Sequence, residues 1–136
     1  MNVPEDREYT ASHEWIRMDG DSAMVGLTAG DPENLMESAR VDLPRVSSAV
    51  KAGDSVAAVI FSRAPKRVVR APLSGTVIEI NRELESRPDL VQKDPYGAGW
   101  LFRLEIQAGE EIEHLLDPAV YRERLRAAEA MEVDSP

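Results

Sequence analysis

The sequence has no cysteine and only two histidines among its 136 residues. The absence of cysteine excludes disulfides, thiolate nucleophiles and cysteine-ligated metal sites. His13 and His114 lie far apart in the chain, and neither belongs to a spacing typical of metal ligands. We therefore expect no metal centre.

Basic residues are scarce as well: 16 Lys and Arg stand against 25 Asp and Glu, for a net charge of −9. Phosphate binding needs a basic surface, so nucleic acid is not an expected partner. No apolar run approaches the ~18 residues of a membrane-spanning helix, and the N-terminus lacks the basic and apolar regions of a signal peptide. We expect a monomeric cytoplasmic protein that binds no membrane.

The length and the hydrophobic content of 43% predict one domain with one core. We place this domain at residues 9–130. Residues 1–8 and 131–136 are polar and are predicted to be flexible ends.

Short alternating segments separated by turns predict a mainly β domain. Asp19-Gly20-Asp21, between two alternating segments, is typical of a hairpin turn. Asp followed by Pro predicts helix starts at Asp31 and Asp117, the first helix ending near Glu37. The C-terminal helix should turn Val120, Tyr121, Leu125 and Ala128 towards the core. The predicted strands cover residues 15–18, 23–27, 56–61, 76–80 and 99–106, with a return strand starting at Val68.

Evidence for catalysis is weak. His13 and Glu14 are adjacent, and neighbours on a strand point to opposite faces, so they are not expected to form an acid–base pair. Ser12, His13 and Glu14 are interpreted instead as solvated polar residues that lead into a strand. Ser74-Gly75 lacks the first glycine of a nucleophile elbow. We predict that the protein is not an enzyme.

A cluster of basic residues stands out in this acidic chain, and we call it the basic cluster: Arg63, Lys66, Arg67 and Arg70. Such residues can be the solvated tip of a hairpin, where Lys and Arg also protect strand edges. They can equally form a docking surface for an acidic protein partner. Lys66, on an exposed turn, could also accept a covalently attached carrier group.

Seven segments of the chain form a recognisable set: YTASHEW (9–15), VGLT (25–28), VDLP (41–44), KAGD (51–54), APLSGTVIEIN (71–81), DPYGAGWLFRL (94–104) and HLLDPAVY (114–121). Together they resemble the glycine cleavage system H protein family, whose members belong to the biotinyl/lipoyl-carrier fold. The match covers about residues 9–125 in order.

The resemblance implies a barrel-sandwich hybrid: two small antiparallel sheets, a carrier hairpin at one end, short helices and a C-terminal helix. It also implies a lipoyl carrier that is not itself a catalyst and that carries lipoate on a hairpin lysine. The arm-docking groove of such a carrier would draw on Ser12 and Glu14.

The lipoyl-lysine is missing where the resemblance places it. In a gap-free register the family lysine falls on Ala64, its preceding glutamate on Phe61 and its following aspartate on Val68. Gly75 supports this register, because the family places a glycine eleven residues after its lysine. The nearest lysine is Lys66, two residues further on.

Two hypotheses follow. In the first, the protein is an H-protein-like binding or regulatory module that carries no lipoate or other cofactor. Its basic cluster would then contact a protein partner, a glycine cleavage or lipoate-handling component. In the second, the protein is a lipoyl carrier modified at Lys66, shuttling an aminomethyl group. A drifting paralogue without a defined role is a further alternative.

Overall fold

In the computed structural model, residues 3–29, 37–107 and 114–133 are described. They form a mainly β structure with a C-terminal helix, as the alternation of the sequence predicts. The strands are β1 (Glu8–Tyr9), β2 (Glu14–Asp19), β3 (Ser22–Leu27), β4 (Ser38–Asp42), β5 (Ala49–Val50), β6 (Ser55–Phe61), β7 (Arg67–Arg70), β8 (Gly75–Ile80) and β9 (Phe102–Ile106). A 3-10 helix covers Arg82–Glu85, and two α-helices follow, α1 (Leu90–Lys93) and α2 (Pro118–Val133).

The strands form two antiparallel sheets. One has six strands in the order β1-β2-β3-β9-β8-β5, and the other has three in the order β4-β6-β7. The turn between β2 and β3 contains Gly20 at a φ of 62°, a conformation that glycine adopts without steric cost. The predicted hairpin at this turn is therefore confirmed.

The segment Val56–Asn81 supplies strands to both sheets. Strands β6 and β7 form a hairpin of the three-stranded sheet, in which Val59 is opposite Arg67 and Ser55 is opposite Arg70. The chain then passes into β8 of the six-stranded sheet. Residues 62–66, between β6 and β7, form the hairpin tip.

The main core lies between the two sheets, where the apolar faces of their strands meet. Alternate residues of β6 point inwards, with Ala57, Val59 and Phe61 buried. They pack against apolar residues of both sheets and of the segments that follow β8, chiefly Val25, Leu27, Val41, Val69, Val77, Leu84, Leu90, Val91, Leu101, Phe102 and Leu104.

A second core cluster attaches α2 to the sheet. The ring of Tyr121 stacks on that of Tyr9, with ring centroids 4.5 Å apart. The Tyr121 hydroxyl lies 2.7 Å from His13 Nδ1 and 2.6 Å from Thr28 Oγ1. Asp117 caps the helix by accepting a hydrogen bond from the backbone N–H of Val120, as the Asp-Pro pattern predicts.

The predicted inner face of α2 is only half right. Tyr121 is buried and Leu125 packs against the second cluster, but Val120 is 43% exposed and Ala128 is exposed as well. The helix contacts the two-residue strand β1, so a narrow stripe of its surface is covered. The pattern of apolar residues overestimates that width because alanine and valine also occur on solvated helix faces.

Two other boundaries differ from expectation. The last strand begins at Phe102 rather than Gly99, because residues 94–100 form turns in which Asp94 Oδ2 accepts the N–H of Ala98. The helix predicted from Asp31 lies almost wholly outside the described residues. The flexible ends predicted at 1–8 and 131–136 stay predictions, although β1 begins at Glu8.

Position 75 requires glycine because β8 and β9 approach each other closely there. A Cβ atom at this position would lie 2.1 Å from the carbonyl oxygen of Glu105 on β9. We expect Gly75→Ala to lower the free energy of unfolding by about 2 kcal/mol or more, since β8 and β9 would have to move apart. Urea denaturation measures this loss.

Thr76→Ala is the matched control, because Thr76 lies next in the same strand and also faces β9. It should cost less than about 1 kcal/mol. Equal losses in the two variants would contradict the steric explanation.

Candidate functional site

The hairpin tip carries two basic side chains outwards and one alanine inwards. Ser62, Arg63, Pro65 and Lys66 are exposed, whereas Ala64 is half-buried and packs against the main core. Within the described ranges, neither Arg63 nor Lys66 forms an ion pair. Ala64 is the residue at which the sequence register places the family lysine. Its methyl group is turned towards the core.

Arg67 behaves differently from the other members of the basic cluster. Its side chain is 13% exposed, and Nη2 lies 3.1 Å from Glu14 Oε2. The guanidinium also donates to the backbone carbonyl oxygens of Ser12 and Val68. The role of Arg67 in partner binding stays a prediction, but its charge lies inside the protein rather than on the outward surface of the tip.

Glu14 corrects the interpretation of residues 12–14 as a solvated segment, because only 1% of its surface is exposed. Its Oε1 accepts hydrogen bonds from Thr10 Oγ1 at 2.6 Å and from Ser12 Oγ at 2.5 Å. The carboxylate is buried because these hydroxyls and Arg67 together replace the water that it loses.

His13 and Glu14 contact different partners, but strand alternation is not the cause, because His13 lies in the turn before β2. Its backbone has a φ of 70°, and its ring contacts Tyr121 on α2. Glu14 contacts Arg67 instead. The two side chains therefore do not act on one reacting group as an acid–base pair.

A groove of about 560 Å³ lies at the end of β7, and we call it the β7 groove. Arg70 lines it and donates from Nη1 to Gly53 O at 3.1 Å. His114 lies in its wall, with Nε2 2.7 Å from Pro72 O. The lining residues are Thr10, Ala11, Ser12, Glu14, Ala52, Gly53, Arg70, Ala71, Pro72 and His114.

Three of the predicted site residues, Ser12, Glu14 and Arg70, line the groove. Arg67 does not line it but contacts Glu14 and Ser12. Arg63 and Lys66 belong to the tip and do not line the groove. In the described part of the chain, no group of three or more His, Asp and Glu side chains could hold a metal ion. No described helix is long and apolar enough to cross a membrane.

Comparisons with known proteins agree with the fold and with the sequence segments. The family model described as "Glycine cleavage H-protein" matches residues 7–128. The chain belongs to the glycine cleavage H-protein family. The resemblance of its sequence segments is thereby confirmed.

The relatives cover nearly the whole chain. A glycine cleavage system H protein of Thermus thermophilus is 39% identical over 127 residues, which are 93% of this chain and 98% of that protein. One from Thermotoga maritima is 43% identical over 117 residues, 86% of this chain and 94% of that protein. The crystal structure of an H protein from Mycobacterium marinum superposes with a TM-score of 0.78 at 34% identity, covering 90% of this chain and 98% of that one.

Two features of the site were missed from sequence. One is Thr10, whose hydroxyl binds the Glu14 carboxylate and also accepts the N–H of Glu14. The other is the ion pair between Glu14 and Arg67, which lie 53 residues apart in the chain. The one available signal was the closeness of three polar residues in sequence, Thr10, Ser12 and Glu14, which a turn at residues 11–13 brings together.

Because of the ion pair, Arg67 should contribute strongly to the stability of the fold, whereas Arg70 should contribute little. Arg67→Ala leaves a buried carboxylate without its cation and should cost about 3–5 kcal/mol in the free energy of unfolding. Arg70→Ala removes an exposed arginine three residues away and should cost about 0.5 kcal/mol or less. Urea denaturation of both variants checks the difference.

The double variant Arg67→Ala/Glu14→Gln removes both charges and should recover part of the loss. If Arg67→Ala were as stable as Arg70→Ala, the pair would not be the buried interaction that its geometry indicates.

Proposed function

We propose that this member of the family is a non-enzymatic binding module that carries no lipoyl group. In this proposal, the hairpin tip docks on an acidic surface of a protein partner. The observation that carries the proposal is Ala64, a half-buried alanine in the middle of the tip. Membership in a family of carrier proteins supports a non-catalytic role.

Position 64 lacks the nucleophile that lipoylation needs. A lipoyl group is attached through an amide, and forming that amide requires a primary amine, which alanine lacks. The register that assigns Ala64 to this position depends on Gly75, which is a glycine because β8 and β9 approach too closely for a Cβ. A shift of register would therefore need an insertion or deletion between residues 64 and 75.

The charge of the hairpin tip supports docking on an acidic surface. Arg63 and Lys66 are exposed and have no ion-pair partner among the described residues, although the chain as a whole carries a net charge of −9. Arg70 is exposed at the other end of β7. Basic groups presented together in this way steer association with an acidic surface and set its orientation. Other components of the glycine cleavage or lipoate-handling machinery are the partners that family membership favours.

A second candidate function is a lipoyl carrier modified at Lys66. It is favoured by the exposure of Lys66 at the tip. Against it, Lys66 directly precedes β7 and so stands at the flank of the hairpin, whereas Ala64 lies at the centre of residues 62–66.

Intact mass after co-expression with a lipoate ligase separates these two functions. We expect the wild type and Lys66→Ala to keep their unmodified masses. Ala64→Lys should gain the mass of one lipoyl group, because the long side chain can extend its amine from this half-buried position into solvent at the centre of the tip. An H protein known to be lipoylated serves as the positive control.

A lipoyl mass on the wild type that disappears in Lys66→Ala would establish the carrier function and refute our proposal. Failure of Ala64→Lys to be modified, with the positive control modified, would contradict the assignment of position 64.

Charge reversal at the tip tests the docking proposal. Arg63→Glu/Lys66→Glu should slow association with a binding glycine cleavage or lipoate-handling component by about tenfold or more at low salt. Its unfolding free energy should change by about 0.5 kcal/mol or less, since both side chains are exposed. Surface plasmon resonance with the purified components measures the association rate.

Arg45→Glu/Arg124→Glu is the matched control, because it changes the net charge equally at two exposed arginines outside the tip. If both double variants slowed association equally, overall charge rather than the tip would be responsible.

A further inference from the structure

The three-stranded sheet carries apolar side chains on its outer face, next to the hairpin tip. β6 lies at the centre of this sheet, and every second residue of its C-terminal half is buried in the main core. Strand alternation therefore turns Ala58 and Ile60 outwards, and Val68, opposite Ala58 on β7, faces the same way. All three are half-buried, and none belongs to a core cluster of the described residues. We call Ala58, Ile60 and Val68 the outer apolar patch.

Charged side chains border the outer apolar patch on two sides. On β4, Arg40 is opposite Ile60 and Asp42 is opposite Ala58. Arg40 Nε lies 2.8 Å from Asp42 Oδ1, so these two charges offset each other. On the other side, continuing the register of β6 and β7 by one residue places Lys66 opposite Ile60. Lys66 is exposed and has no ion-pair partner within the described ranges, so its charge is left for a binding partner.

We propose that the partner that docks on the hairpin tip also covers the outer apolar patch, and that it does so with an acidic segment that carries an apolar side chain beside its carboxylates. This inference rests on the proposed docking function and adds the apolar part of the interface. Lys66 pairs with a carboxylate of that segment, and Ile60 lies against its apolar side chain.

The spacing of the strands brings the two kinds of contact within reach of one segment. Neighbouring strands lie about 4.8 Å apart, so a segment that pairs with Lys66 also passes over Ile60. Protein interfaces typically combine an apolar centre, from which water is excluded, with a polar rim. The outer apolar patch and the adjacent basic tip have this arrangement.

The two parts of the interface have different consequences. The charge of the tip steers association with acidic surfaces, whereas burial of the patch slows dissociation. The patch also selects among acidic surfaces, because only one that brings an apolar side chain gains from burial. A second copy of this chain fits less well, since copies with a net charge of −9 repel each other.

The test compares Ile60→Thr with the matched control Ile78→Thr. Ile78 is 40% exposed on β8 of the six-stranded sheet, outside the patch. Threonine keeps the branched Cβ that suits a strand and exchanges apolar surface for a hydroxyl. Surface plasmon resonance with the purified glycine cleavage and lipoate-handling components measures both rate constants. We expect Ile60→Thr to raise the dissociation rate about fivefold or more with little change in association, and Ile78→Thr to behave like the wild type.

Val68→Thr is a second variant, which keeps the shape of the side chain and covers the case that Ile60→Thr does not fold. It should also dissociate faster than the wild type. Both effects should persist at high salt, because salt screens charges without weakening apolar burial. The slower association of Arg63→Glu/Lys66→Glu should instead disappear there.

The outcomes separate this inference from the proposed function. If Arg63→Glu/Lys66→Glu slows association while Ile60→Thr and Val68→Thr dissociate like the wild type, the tip docks without the patch and this inference is overturned alone. If no component binds the wild type, the docking function is refuted and this inference with it. A wild-type dimer in sedimentation velocity that Ile60→Thr dissociates would place a second copy on the patch and overturn the acidic segment as its occupant.

Discussion

A buried ion pair between Arg67 and Glu14 links the two sheets on which the candidate site is built. Glu14 opens β2 of the six-stranded sheet, and Arg67 opens β7 at the edge of the three-stranded sheet. Because both side chains are largely removed from water, neither charge can be lost without exposing the other to an apolar environment. The contact joins the start of β7 to residues 12 and 14, which line the groove.

The family fold is retained in this chain, and we propose that its hairpin differs chemically from that of a lipoyl carrier. The antiparallel pairing of β6 with β7 places residues 62–66 at the tip. At that tip stands Ala64, and the basic side chains around it point in two directions: Arg63 and Lys66 outwards, Arg67 inwards. One scaffold thus presents an outward basic surface and a groove whose carboxylate is already paired.

Much of this fold could be predicted from sequence, because strand alternation and turn residues are local signals. The β2–β3 hairpin and the capped start of α2 are examples. The inward position of Arg67 could not be predicted, because it depends on the pairing of β6 with β7 and on the proximity of residues 10–14. The exposure of Val120 was missed for a similar reason. The spacing of apolar residues in a helix does not show how much of the helix surface the rest of the protein covers.

The central claim is that this member of the H-protein family works without a lipoyl arm. The most direct measurement is peptide mass spectrometry of the hairpin from protein purified from the organism that makes it, grown with lipoate available. The account predicts that peptides containing Ala64 and Lys66 are found without modification. A lipoyl group on Lys66 in a substantial fraction of the molecules would contradict it.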